Sequence, residues 1–88
     1  MSDKLLKKEV EEEVKKQREI IKSYIRQQPE FYTSFSPVDC YSEEEIIRLM
    51  CESAWMTETG PWASVAGAIA EIIGRKILSL TGQVFIEN

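Results

Sequence analysis

The chain of 88 residues contains no histidine. Histidine is the usual general base near neutral pH and the commonest metal ligand. Without it, neither a Ser-His-Asp nor a Cys-His catalytic site can be assembled from these residues. Cysteine is also scarce. Cys40 and Cys51 form no CxxC pair, and no second pair completes a four-ligand zinc site. Two such thiols read as reduced side chains of a cytosolic protein, with a single disulfide in an oxidising compartment as the rival reading. Positive charge is short as well: 11 Lys and Arg stand against 15 Asp and Glu, a net charge of −4. Nucleic-acid binders gain affinity by neutralising phosphates, so this balance argues against that class. No long uncharged apolar run occurs. The richest stretch, Pro61 to Leu80, carries Glu71, Arg75 and Lys76, and reads as a buried helix rather than a membrane span. The opening MSDKLLKKEV turns charged at once, unlike a secretory signal. The expectation is a cytoplasmic chain with no nucleic-acid partner and no membrane partner.

What is present amounts to one small domain. A chain of this length buries only roughly 60% of the surface its unfolded form exposes. Ser2 or Asp3 can cap a helix that meets no breaker before Gln28, with Glu11–Lys15 and Glu12–Lys16 in the favourable acid-before-base spacing. Its apolar stripe is thin at Leu6, Val10 and Val14, interrupted by Gln17, and fuller at Ile21, Tyr24 and Ile25. Pro29 ends it. An aromatic connector follows, with Phe31, Tyr32 and Phe35, up to Tyr41. Ser42 with Glu45 reads as a capping box for a second helix to about Trp55 or Met56. Pro61 suits the first position of a third helix, whose Ala63, Ala66, Gly67, Ala70 and Gly74 make a small-residue ridge. Gly82 reads as a helix stop and Val84-Phe85-Ile86 as a buried strand.

The predicted elements are therefore helices over 3–28, 43–56 and 61–81 and a strand over 83–87. The fold class is α+β, mostly helical. The long N-terminal helix spans 1–28, and a core carrying the sequence motifs spans 42–88. A lone strand cannot satisfy its own backbone groups. It therefore calls for a symmetry mate, giving a homodimer, or for a missing C-terminal half. Asp39 and the Glu43–Glu45 run form the carboxylate cluster outside the first helix. Carboxylates in pairs can bind magnesium, yet these also fit a turn residue and first-turn helix acids favoured by the dipole. No metal site and no catalytic residue is assigned.

Thr59 to Glu71, TGPWASVAGAIAE, resembles the GPMAAVAGAIAE signature of an uncharacterised bacterial and archaeal family grouped with ApbE, the FAD:protein FMN transferase once called a thiamine-biosynthesis lipoprotein. Ile25 to Phe31 and Val84 to Asn88 resemble flanking segments of the same family, the latter normally continuing Gly-Gly-Asp. Trp62 replaces the signature methionine and Ser64 an alanine, and a β-hairpin expected before the first helix has no counterpart. The resemblance implies the N-terminal part of an ApbE-like domain, in which flavin (FAD or FMN) and magnesium are the associated cofactors and the absent half supplies most contacts to them. It also implies a ligand site at Gly60, Pro61 and Gly67, where a helix opening can hold an anion and Gly67 lets a flat ligand or a strand come close. The competing reading is that this motif packs helix against sheet. Two functions follow: part of an ApbE-like flavin- or phosphate-ligand protein that is not catalytic alone, or a small helical oligomerisation or interaction module.

Overall fold

A computed structural model describes the backbone of residues 2–87 and the side chains of residues 2–82. Four α-helices follow one another: α1 Asp3–Gln27, α2 Glu30–Thr33, α3 Glu45–Thr57 and α4 Val65–Glu87. A 3-10 turn, Pro61–Ser64, leads into α4.

Local chemistry accounts for most boundaries. The Ser2 hydroxyl accepts the Leu5 N–H at 3.2 Å and so caps α1. Pro29 stops α1 at Gln27, but the chain at once makes one further turn, α2, instead of remaining extended. That turn drives Phe31 fully into the core. The Ser42 hydroxyl accepts the Glu44 N–H at 3.1 Å. It therefore forms a short turn before the helix rather than a capping box, and α3 begins two residues later than the 43 expected. Its C-cap, Glu58, takes the left-handed conformation at φ 57° and ψ 42°.

The expected strand is absent, and the α+β assignment is corrected to all-helical. Helix makes up 79% of the chain, and no strand occurs among the described residues. Gly82 adopts no positive φ and caps nothing; α4 runs through it to Glu87. Thr81 returns its hydroxyl proton to the Ile77 carbonyl at 2.8 Å, inside the helix. The reason lies in backbone accounting. With no strand to pair against among the described residues, Val84, Phe85 and Ile86 give their N–H groups carbonyl partners one turn back by staying helical, and this outweighs their modest β preference.

The core gathers Ile21 and Tyr24 from α1, Phe31 from α2, Ile46, Ile47, Met50 and Cys51 from α3, and Ala68 and Ile72 from α4. Phe31, Ile47 and Met50 are fully buried, each contributing about 1.5–3 kcal/mol. Gln17, which breaks the apolar stripe in sequence, is also buried, its amide donating to Glu13 at 2.7 Å. The Glu13 carboxylate in turn faces Lys76 of α4 at 4.0 Å, and Glu45 faces Arg75 at 2.7 Å. The molecule is elongated, 47 × 24 × 19 Å. Cys40 and Cys51, which read in sequence as two reduced thiols or one disulfide, are brought together as a disulfide pair, with Cα atoms 6.4 Å apart. Disulfides usually span roughly 4.4–6.8 Å between Cα atoms.

Candidate functional site

The TGPWASVAGAIAE segment occupies the joint between α3 and α4. The left-handed Glu58 returns its N–H to the Ala54 carbonyl, and Thr59 N–H reaches the same carbonyl at 3.1 Å. The chain then presses inward. Gly60 and Pro61 are both buried. A Cβ on Gly60 would land on the Ser34 carbonyl oxygen and lie 2.8 Å from the carbonyl carbon, so only glycine lets the aromatic connector pass. The Ser64 hydroxyl stands 3.0 Å from the Pro61 carbonyl and 3.4 Å from that of Met50, holding the 3-10 turn against α3.

The three residues singled out in the sequence do not share one surface. Gly60 packs against the Ser34–Phe35 backbone and borders a groove of about 350 Å³ with Tyr32, Phe35 and Trp62, while Pro61 is fully buried. Gly67 lies one turn into α4, exposed, with nothing within 4 Å of where its Cβ would be. The ridge formed with Ala66 and Ala70 is likewise exposed rather than tightly packed. The apolar stripe of α4 that meets the core is instead Ala68 and Ile72. Helical spacing reveals both faces, and small side chains on one of them suggested the wrong one as the inner.

Gly67 borders a groove of about 640 Å³ between α3 and the start of α4, with Leu49, Met56 and Ala63 on its walls and Glu52 and Glu71 at its edges. No cationic side chain lines it. A flavin phosphate at Gly67 would thus meet carboxylates and no countercharge, and these residues alone do not fit that group. A second groove, of about 430 Å³, runs between α1 and α4 past Ile21, Trp62 and Ile69, with Arg18 and Lys22 on its border. Among the described residues no group of three or more Asp, Glu or Cys converges as metal ligands do. Asp39 instead takes part through its backbone carbonyl, which accepts the Gln28 amide at 2.9 Å.

The feature sequence reasoning passed over is the anchoring of the connector. The Tyr24 hydroxyl accepts the Tyr41 N–H and donates to the Gln28 side chain, whose amide also reaches Glu30 at 2.9 Å. Tyr24 reads in sequence as one more apolar stripe residue; the partners of its hydroxyl lie up to 17 positions away.

The comparisons with known proteins extend the motif to the whole chain. A family model described as AbpE bacteria matches residues 1–88. The chain belongs to that family. It is 43% identical over 74 residues to a UPF0280 protein of Methanocaldococcus jannaschii, covering 83% of this chain and 30% of the relative. A UPF0280 protein of Archaeoglobus fulgidus is 43% identical over 61 residues, 69% of this chain and 26% of its own length. One of Methanosphaera stadtmanae is 37% identical over 59 residues, 67% and 24% respectively. The chain thus spans less than a third of the length of these relatives. The family is uncharacterised and related to ApbE. No solved structure matches the chain.

Proposed function

We propose that these 88 residues form a helical part of an ApbE-related fold that carries out no chemistry alone and presents the outer face of α4, with the adjoining α3 groove, to the remainder of that fold. One observation carries the reading: Ala66, Gly67 and Ala70, small residues of the family-like segment, are exposed on one side of α4, and Ala63 is exposed in the turn just before it. Small side chains allow a neighbouring backbone to approach closely, and an exposed face of this kind on a family segment has a use only when something lies on it. The short span relative to the relatives supports the same conclusion. Any flavin or magnesium would then be held mainly by residues beyond these 88, with the Gly67 groove forming at most one wall.

The test mixes the purified chain with a recombinant polypeptide covering the unmatched part of the Methanocaldococcus relative. A one-to-one complex, weakened when Gly67 or Ala70 is replaced by leucine, is the expected result. Flavin transfer by the isolated chain, given FAD, magnesium and an acceptor protein, would overturn the proposal. A stable homodimer buried on the α4 face, with no complex formed, would favour the oligomerisation module instead.

A further inference from the structure

We propose that Cys40 and Cys51 are a reversible dithiol–disulfide pair that latches the connector between α2 and α3 onto the core. Cys51 is embedded in α3 at 7% exposure, within the core cluster. Cys40 sits on the connector, half-buried, and packs against that cluster together with Val38. The two differ in reach: a reagent in solution meets Cys40 first, while Cys51 is accessible mainly through Cys40.

The surroundings serve both oxidation states. The Val38 carbonyl oxygen stands 3.7 Å from the Cys40 sulfur and 3.7 Å from the Cys51 sulfur. When reduced, the two sulfurs turn apart and each thiol keeps that carbonyl close by as an acceptor for its proton, so breaking the bond need strand no buried donor. The connector also keeps other attachments after the bond opens, through the Tyr41 N–H to Tyr24 and the Asp39 carbonyl to Gln28. Opening therefore loosens one segment without unfolding the helices. These features suit a bond that cycles rather than one that the fold depends on.

The chemistry is thiol–disulfide exchange with a low-molecular-weight disulfide, RSSR. The Cys40 thiolate attacks one sulfur of RSSR, forming the mixed disulfide Cys40–S–S–R and expelling RS⁻. The Cys51 thiolate then attacks the Cys40 sulfur, closing the internal disulfide and expelling the second RS⁻. The two protons released by the protein thiols end on the two RSH products. The protein is oxidised by two electrons and RSSR is reduced by two, and excess RSH runs the sequence backwards.

The full chain is equilibrated across a series of glutathione to glutathione-disulfide ratios, quenched in acid, alkylated and read by intact mass. A two-thiol to zero-thiol transition inside that series is expected, with a Cys40–glutathione adduct trapped in Cys51→Ala. Hydrogen exchange on the same samples is expected to speed by about tenfold or more at the Tyr41 amide in the reduced form, because its bond to Tyr24 opens more often once the disulfide no longer holds the connector, with the α1 and α3 amides unchanged. Circular dichroism on both forms verifies that each is folded. Two alkylated thiols at every ratio in a folded chain would overturn the proposal. So would a bond that stays closed under excess reduced glutathione, or oxidation that yields only linked dimers. A Cys40→Ser variant whose exchange at the Tyr41 amide matches the oxidised wild type would remove the latch.

Discussion

The Tyr24 hydroxyl accepts the backbone N–H of Tyr41 at 2.9 Å, across 17 positions of sequence. The ring beneath it meets Phe31 edge-on at 5.0 Å between centroids. A single side chain of α1 thus secures both the buried turn of α2 and the far end of the connector. Tyr24→Phe keeps the ring contact and removes the hydroxyl, leaving the Tyr41 N–H without its partner. The expected cost is about 1–2 kcal/mol, read as a lower urea midpoint with an unchanged m-value. An unaltered midpoint would mean that water replaces the hydroxyl at no cost.

Glycine substitutions along the TGPWASVAGAIAE segment and its helix should differ in sign. Gly60→Ala drives a methyl into the Ser34 backbone, which cannot yield as a side-chain tip can, and should lower stability by about 1–3 kcal/mol. Gly67→Ala and Gly74→Ala meet open space inside a helix and should each raise it by about 0.5–1 kcal/mol. Thermal melts of the three variants decide the matter. A destabilised Gly67→Ala would reveal a close neighbour on that face in solution.

Met50 is fully buried in the core cluster that all four helices share. Met50→Ala should cost about 2–5 kcal/mol through lost burial and the cavity left behind. For a chain with so small a core this approaches full unfolding at room temperature, visible as loss of helical circular dichroism. Retention of a cooperative melt near the wild-type midpoint would indicate that the helices close over the gap.

Glu58 holds a left-handed backbone that costs a non-glycine residue roughly 1–2 kcal/mol. Glu58→Gly should relieve that strain, less the added freedom of the unfolded glycine, for a net gain of about 0.5–1 kcal/mol. A lower melting temperature would place the Glu58 side chain in a role its backbone does not reveal.

Much of the helical frame was legible because it is written locally. Pro29 and Pro61 punctuate the chain, Ser2 caps, and the fuller stripe at Ile21 and Tyr24 is the one that packs. The misreadings came where distance in sequence matters. Val84-Phe85-Ile86 has the composition of a strand, yet pairing partners decide strands, and the described residues supply none. Small side chains at Ala66, Gly67 and Ala70 signal close approach but not by what, and the structure leaves them open. For the candidate site, the sequence marks Gly60 and Pro61 as a helix opening, while what requires glycine at position 60, the Ser34 carbonyl, lies 26 residues earlier and leaves no mark in the local pattern. The meeting of Cys40 with Cys51 depends on how the connector folds over α3, which no spacing rule encodes.

The two tryptophans are both exposed but on different sides of the molecule. Trp55 projects from α3 at 57% exposure. Trp62 leans edge-on against Tyr32, centroids 4.7 Å apart, and borders the groove between α1 and α4. The protein therefore carries two optical reporters with separate allegiances. In Trp55→Phe the remaining emission follows the side of the molecule where Trp62 borders both the α1–α4 groove and the connector groove, and in Trp62→Phe it follows the outer side of α3. Whatever settles on this molecule should announce, by which of the two emissions shifts toward the blue, the side on which it has landed.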